Sequence, residues 1–390
     1  MLVIDETGDR KDGTQTAHVA RQYLGSIGKV DNGIVAVTSV WADERVYWPA
    51  HVRPYTPASR LPKGRADPDF HTKPQLAREL VDQAVAAGIS FRAIVADCFY
   101  GDNVEFEGAL RQAQRPYVLA LRPSKGAWVR EGEAETPEAA ARRLQWTSPE
   151  QPGDWTRVVR TYRDGHTTVW WAAEARFAGY GPDGVARLVV ATTDPATLPP
   201  LTTWYLATTL PRPTGPRVAT APFAPAALAE VVRLYGLRNW VEQSDKQVKD
   251  ELGWADFQVR TDRAIRRHWT LVLCAFAFCW AEWFVTQERV WPPSPPQAPP
   301  PQATSPSPPP GAPTPTGTTT SDAPAGTAGA RGKKQRAAAG PAPAPASSPP
   351  GHIGLALVAG RAAGRAELAR PLEHVAPHRA RLGTQPPARQ

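Results

Sequence analysis

Cysteine is scarce in this 390-residue chain, which carries only Cys98, Cys274 and Cys279. No two of them form a Cys-x-x-Cys pair, which argues against both a thiolate zinc site and a disulfide framework. So few thiols fit a reducing cytoplasm. Cys98 stands beside Asp97, but no histidine lies near it in sequence to activate it as a nucleophile. A leader is also missing from the reading, because Asp5 and Asp9 come almost at once. The most apolar run, residues 269–281, is too short to cross a bilayer and is bounded by Arg266, Arg267, His268 and Glu282. A buried core helix is expected there, and no membrane partner. Nor is there a global basic field. Formal net charge is +8, but 11 of the 45 Lys/Arg and 4 of the 37 Asp/Glu fall from Val285 onward, leaving 34 against 33 in the rest. Any grip on a polyanion must therefore come from local clusters.

What the chain does have is an α/β pattern. Strands are expected over 1–5, 16–26, 32–41 and 44–54, followed by a Pro-, Arg- and Asp-rich loop over 55–72. A helix over 73–88, a strand over 91–97, a helix over 104–113 and a strand over 116–121 complete a first segment, 1–122. Residues 123–222 read as a β-rich insertion. Its hairpin, 155–162 with 167–177, turns at Arg163-Asp-Gly, and further strands are expected over 187–193 and 202–209. Trp170 and Trp171 are expected to fill a small β core there rather than to stack on an unpaired base. Residues 223–287 read as helical. From about 288 to 390 the chain is rich in Pro, Ala, Ser and Thr, and disorder is expected. That tail contains a basic tract, Arg331-Gly-Lys-Lys-Gln-Arg336, and a weak Ala/Arg-rich helical stretch over 352–382.

The chemistry concentrates in Tyr235, Arg238, Glu242 and Lys249. On one continuous helix starting near Pro225, and counting from Tyr235, these fall near 300° for Arg238, 340° for Glu242 and 320° for Lys249, with Lys246 near 20°. One narrow face would carry a phenol, a carboxylate and three cations, opposite an apolar stripe that includes Leu234, Leu237, Val241 and Val248. The plain alternative is a solvated face with i,i+4 pairs. Two further carboxylates end apolar runs and precede Gly turns: Asp5 after Met1-Leu-Val-Ile, and Asp97 after Phe91-Arg-Ala-Ile-Val-Ala. Each alone reads as a turn former or a helix cap. Together with Glu242 they are the parts of a carboxylate-only site for Mg²⁺ or Mn²⁺, where two ions can clamp an in-line phosphoryl displacement. Arg260, Arg263, Arg266 and Arg267 form a basic cluster that fits either a phosphate-tracking surface or a solvated first helical turn.

In these features the chain resembles the DDE transposases of bacterial insertion sequences, in the group whose third acid sits in a Tyr-Arg-Glu-Lys signature. The stretches Ala20-Arg-Gln-Tyr-Leu-Gly-Ser-Ile-Gly-Lys29, His71-Thr-Lys-Pro-Gln-Leu-Ala77 and Arg115-Pro-Tyr-Val-Leu-Ala-Leu-Arg122 also look like blocks of that family. The likeness covers roughly residues 1–284. It implies a ribonuclease-H-like core interrupted by a β-rich insertion before the signature helix. Asp5, Asp97 and Glu242 would be the metal-binding catalytic acids. Tyr235, Arg238 and Lys249 would contact transposon-end DNA, with Lys246 where relatives often carry a cation. Two Mg²⁺ or Mn²⁺ ions, double-stranded DNA, a homodimer in the synaptic complex and a nucleoid-associated cytoplasmic location follow from the same likeness. Two departures from the family pattern stand out. Met1 immediately precedes the first catalytic strand, so an end-recognition region is expected to be missing, and the Pro- and Arg-rich end offers no clear dimerisation helix. The rival expectations are an idle remnant that binds DNA or full-length transposase and inhibits it, and a ribonuclease-H-like nuclease without a joining step.

Overall fold

The computed structural model describes residues 1–290 apart from 131–132 and 163–164. The tail expected from 291 onward, with its basic tract and weak helix, lies outside the described residues, as does part of the Arg163-Asp-Gly turn.

One ten-stranded mixed sheet organises the chain. Its first strands are β1 (Leu2–Arg10), β2 (Ala20–Leu24), β3 (Lys29–Ala42) and β4 (Tyr47–Tyr55). Helix α1 (Lys73–Ala86) leads to β5 (Ile94–Ala96), the short α2 (Cys98–Gly101), α3 (Val104–Gln112) and β6 (Tyr117–Leu121). A two-stranded ribbon, β7 (Ala127–Arg130) with β8 (Glu133–Glu135), and α4 (Pro137–Ala141) precede β9 (Thr156–Thr161), β10 (Thr167–Ala175), β11 (Arg187–Thr192) and β12 (Thr203–Thr208). Three helices follow: α5 (Leu228–Gly236), α6 (Asn239–Asp250) and α7 (Asp262–Val290).

Strand order in the sheet is β2-β3-β1-β5-β6-β12-β11-β10-β9, with β4 also on β3. The β1 strand is antiparallel to β3 and parallel to β5, and β5 is parallel to β6. Because both faces of the sheet are covered, β1 opens with an unbroken apolar run rather than an alternation. Val3, Val95 and Val118 face a core shared with α5, α6 and α7, where Val231, Val241 and Trp269 are buried. Leu2, Ile4, Ile94 and Ala96 face the opposite core, filled by Leu76 and Leu80 of α1 and by Phe106 and Leu110 of α3. Helix α1 starts where the sequence gives it a capping box: the Thr72 hydroxyl accepts from the Gln75 amide, and Gln75 reaches back to the Thr72 amide.

Strands β9 to β12 of the β-rich stretch lie in this same sheet, and the β7–β8 ribbon stands apart from it. Antiparallel pairing of β12 with β6, in the register Tyr205↔Leu121, carries the sheet on through β11, β10 and β9. Trp170 and Trp171 alternate across it and are both buried, as expected, the first against Trp204 and the second against Trp146.

Two expectations need correction. The strand expected over 16–26 begins only at Ala20. Ahead of it His18 takes a left-handed backbone, φ 67°, while its ring bonds Thr56 Oγ1 at 2.7 Å and Asp262 Oδ1 at 2.8 Å. Anchoring the ring to α7 fixes a turn where hydropathy alone gave extension. The apolar run at 269–281 is not a short helix either. It is the middle of the 29-residue α7, whose span Asp262–Thr286 is long and apolar enough to cross a membrane by length and composition. Arg266, Arg267, His268 and Glu282, read as bounding the run, lie within the same helix. One side of α7 packs on β4 and α6, where Trp280 Nε1 donates to Tyr47 O at 2.6 Å.

Candidate active site

The site is built where β1 and β5 end. Their parallel register pairs Leu2 with Ile94, Val3 with Val95 and Ile4 with Ala96, so the next step sets Asp5 beside Asp97. Alternation along β1 places Asp5, Thr7 and Asp9 on the face of Val3, toward α6. Asp97 is also the N-cap of α2, its Oδ1 accepting from the Phe99 amide at 3.0 Å. Helix α2 lies so close to β6 that a Cβ at Gly101 would stand 2.0 Å from the Ala120 carbonyl oxygen. Glycine there is a condition of the turn that holds Asp97.

Helix α6 lies along β1 and meets it at three points. Arg238, at its start, donates from Nη2 to Asp5 Oδ2 at 2.6 Å. Asp245 is hydrogen-bonded by the Thr7 hydroxyl. Lys249 Nζ donates to Gly8 O at 3.1 Å and pairs with Asp9 Oδ1 at 2.9 Å. Arg238 Nη1 also lies 3.7 Å from Glu242 Oε1, so one guanidinium joins Asp5 to Glu242. On the other face of β1, Glu6 pairs with Lys73 at 2.6 Å and accepts from the Tyr100 hydroxyl at 3.2 Å.

Negative charge is crowded here, and the acids respond. Burial, then the neighbouring Asp5, pushes the Asp97 carboxyl up to about 6, with Arg238 pulling the other way. Burial and Asp5 push Asp245 up to about 7 against the pull of Lys249. For Arg238 burial alone lowers the guanidinium, but Asp5, Tyr235 and Asp97 outweigh it and hold the group firmly charged. The Cys98 thiol is pushed up to about 11 by burial and by Asp97, which keeps it protonated and unfit as a nucleophile. Burial also raises the Tyr235 phenol, whose ring meets Trp204 edge-on at 4.9 Å.

The donor set is all carboxylate oxygen, which suits a hard divalent cation. A second positive charge between Asp5 and Asp97 would relieve the repulsion that raises Asp97. Among the described residues, no three His, Cys, Asp or Glu side chains are grouped to hold a metal ion as they stand. Arg238 supplies the positive charge on Asp5 instead.

Beside the junction of α5 and α6 runs an open groove of about 1010 Å³, lined by Arg160 and Tyr162 of β9 and by Arg233, Asn239 and Gln243 among others. The Arg160 guanidinium lies 4.9, 4.8 and 4.7 Å from the ring centres of Tyr162, Trp170 and Trp204. Rings on three sides favour the cation through their faces.

With this geometry in view, the likenesses to known proteins can be placed. Residues 1–176 match the family described as DDE superfamily endonuclease. A probable transposase for insertion sequence element IS701, from Microchaete diplosiphon, is 34% identical over 263 residues, 66% of this chain and 60% of that protein. This chain is similar to both. It spans about three-fifths of the length of that relative. The family match takes in Asp5 and Asp97 but stops before Glu242.

The structure treats the expected site residues unevenly. Asp5, Asp97 and Arg238 come together, and Glu242 joins them through Arg238 while its own side chain is 68% exposed. Lys246 stays in solvent. Arg238 and Lys249, expected to face DNA, point instead at carboxylates of β1, each 18% exposed. The expectation of one continuous helix is corrected. Tyr235 belongs to α5, and α6 starts at Asn239. Between them Arg238 N bonds Tyr235 O, Trp240 N bonds Leu237 O and Val241 N bonds Arg238 O, a tight i→i−3 run. The junction falls at Gly236, where a Cβ would stand 2.5 Å from Arg160 Nη2. A single wheel drawn through this break misplaces Tyr235. In the basic cluster, Arg266 pairs with Asp262 at 2.7 Å, while Arg263 and Arg267 are exposed.

Sequence reasoning passed over Asp9, Asp245 and Arg160. Two of them left a signal. Asp9 follows Asp5 at even spacing on one strand face, and Asp245 falls near 280° on the wheel, beside the face already singled out. Arg160 left none, since its rings come from three separate segments.

Proposed function

We propose that this chain is a DDE transposase of an insertion sequence that cuts DNA strands and joins them to a target, using divalent metal. The observation that carries this reading is the juxtaposition of Asp5 and Asp97 on parallel strand ends, with Arg238 linking Asp5 to Glu242. The order β4-β3-β1-β5-β6, antiparallel then parallel, supports a ribonuclease-H-like core, with residues 123–222 as the insertion before the signature helices.

In this reading Asp5, Asp97 and Glu242 are the three catalytic acids and would hold Mg²⁺ or Mn²⁺, two ions in all. Bound there, such ions supply Lewis acidity that stabilises charge on a phosphate and lowers the pKa of water. The protein's own groups position the rest. Arg238, released from Asp5, and Lys249, released from Asp9, become donors to DNA phosphates, and exposed Lys246 adds a third. Tyr235 packs at the DNA backbone. Arg160 lines the groove through which a strand passes. The partner is double-stranded DNA, the transposon end and its target, with two copies of the chain in the synaptic complex and a cytoplasmic, nucleoid-associated setting.

Glu242→Gln tests the assignment, because Glu242 is exposed and its loss should spare the fold. Removing one ligand should cost about 4 kcal/mol of transition-state stabilisation, or ~1,000-fold in Mg²⁺-dependent nicking of an end-containing duplex. Near-wild-type nicking by a folded variant would take Glu242 out of the catalytic set.

A further inference from the structure

The strand ends at Asp5 and Asp97 have two walls, and the catalytic reading uses only one of them. On the side of α6 stand Arg238, Glu242 and Lys249. On the side of α1 stand Lys73 and Phe99, joined to the site through Glu6, the residue after Asp5. Alternation along β1 turns Glu6 away from the face of Asp5 and onto this second side. There Glu6 and Lys73 neutralise each other at 2.6 Å, so what the wall offers a ligand is chiefly an aromatic surface. Phe99 is that surface, 48% exposed. Its ring is held from behind: Tyr100 meets it edge-on at 5.1 Å, and the Lys73 ammonium lies 5.4 Å from its centre and 5.6 Å from that of Tyr55. Its backbone is held as well. The Phe99 amide donates to Asp97, and Gly101 presses the same short helix onto β6. A large apolar ring fixed half in water forgoes the burial that would serve the fold. Being rigid already, it loses little freedom when a ligand covers it.

Its place beside the acid selects the occupant. Phe99 is two residues from Asp97. A phosphate held at Asp5 and Asp97 therefore brings its own nucleotide, rather than a distant one, within reach of the ring. Every base has a π-face, so stacking on an aromatic side chain asks for no particular sequence. Inside an intact duplex both faces of a base are covered by its neighbours. At a cut strand end one face is bare. We propose that Phe99 is a stacking platform for the terminal base of the cut strand, and that it keeps the freed 3′-hydroxyl at the acids until it is joined to a target. This rests on the catalytic reading above for the path of the strand. It adds a group on the wall of α1 that recognises a base, where the groups on the wall of α6 recognise phosphates.

A duplex that ends at the cut, with its 3′-hydroxyl, tests this by binding alone, because no phosphate is left there to cleave. Phe99→Ala in the full chain should raise its Kd about tenfold, with melting unchanged since the ring is exposed. Phe99→Trp should bind at least as tightly as wild type. Phe99→Leu, which keeps apolar bulk without a π-face, should bind like the alanine variant. On a duplex whose 3′-terminal nucleotide is abasic, wild type and Phe99→Ala should bind alike, whereas an abasic site deeper in the duplex should leave the difference between them intact. An equal loss on the intact and the end-abasic duplex would mark a merely structural role and overturn the platform. So would an alanine or leucine variant that binds the intact duplex like wild type, or a change of oligomeric state in Phe99→Ala, which would mean that a second copy covers the ring. Glu242→Gln is read by cleavage and Phe99 by binding, so either assignment can fail while the other stands.

Discussion

Asp97 and Asp245 are weaker acids in the fold than in the open chain, and this has a definite sign. An Asp whose carboxyl is raised from 3.8 to about 6 or about 7 prefers its proton when folded. The stability it contributes is full below about pH 4 and is lost as pH rises through 6 to 7. Metal-free protein should therefore lose melting temperature between pH 4 and pH 7 through these two groups, and Asp245→Asn should flatten part of the slope. Mg²⁺ should raise the melting temperature more at pH 7.5 than at pH 5, because Asp97, one of the carboxylates proposed to meet it, gives up its proton only as pH rises through about 6. Scanning calorimetry reads both, and a flat profile without metal would contradict the account. At this scale the sequence was legible where a local pattern suffices. An apolar run closed by an acid and a Gly turn marked Asp5 and Asp97, and the structure sets them side by side. It was not legible that Arg238 would choose Asp5, 233 positions away. That choice depends on which strand α6 crosses, and no local spacing encodes it.

Elements were easier to find than to join. The helical spacing of Leu76, Leu80, Val81 and Ala84 in α1 and the alternation in β9 and β10 marked those elements closely. The single signature helix failed because its break depends on a remote group: Arg160 of the edge strand packs against Gly236. The length of α7 was not legible, because hydropathy marks only the apolar run 269–281 and does not say how far a helix continues through the charged residues that bound it, although Arg is a good helix former. The tightest element is α2, pressed onto β6 at Gly101. Gly101→Ala should cost about 3 kcal/mol, on the order of 8 °C in melting temperature, since the obstacle is a backbone carbonyl that cannot rotate away. The loss should appear in thermal unfolding, with weakened Mn²⁺ binding because Asp97 rides on the same turn. An alanine variant of wild-type stability would mean that α2 sits farther from the sheet.

At the scale of the molecule, β1 to β6 and β9 to β12 share one sheet. Residues 123–222 read as a separate insertion because their strands alternate differently from those of the first segment, and no pattern within them announces a partner outside. The β6–β12 seam supplies that partner. It places the buried Tyr117, Val118 and Leu119 of β6 between β5 and β12, in the middle of the sheet. Amides of β5, β6, β12 and β11 should then exchange with solvent only on global unfolding, as one cooperative set. Hydrogen exchange resolved by peptide tests this. Early exchange of β11 and β12 while β5 and β6 stay protected would divide the molecule into two units.

If Asp97 is a catalytic acid as proposed, its second role as a helix cap also limits how a lineage of such chains can decay. Its oxygen closes the first turn of α2, a cap worth about 1 kcal/mol that asparagine supplies as well as aspartate and alanine does not. One transition in the codon makes the change Asp97→Asn, which removes the charge while keeping the cap. Copies freed from selection on activity, but still selected to fold, should therefore carry asparagine at this position more often than any small apolar residue, and a survey of silent copies would find their loss of function written there as a single amide.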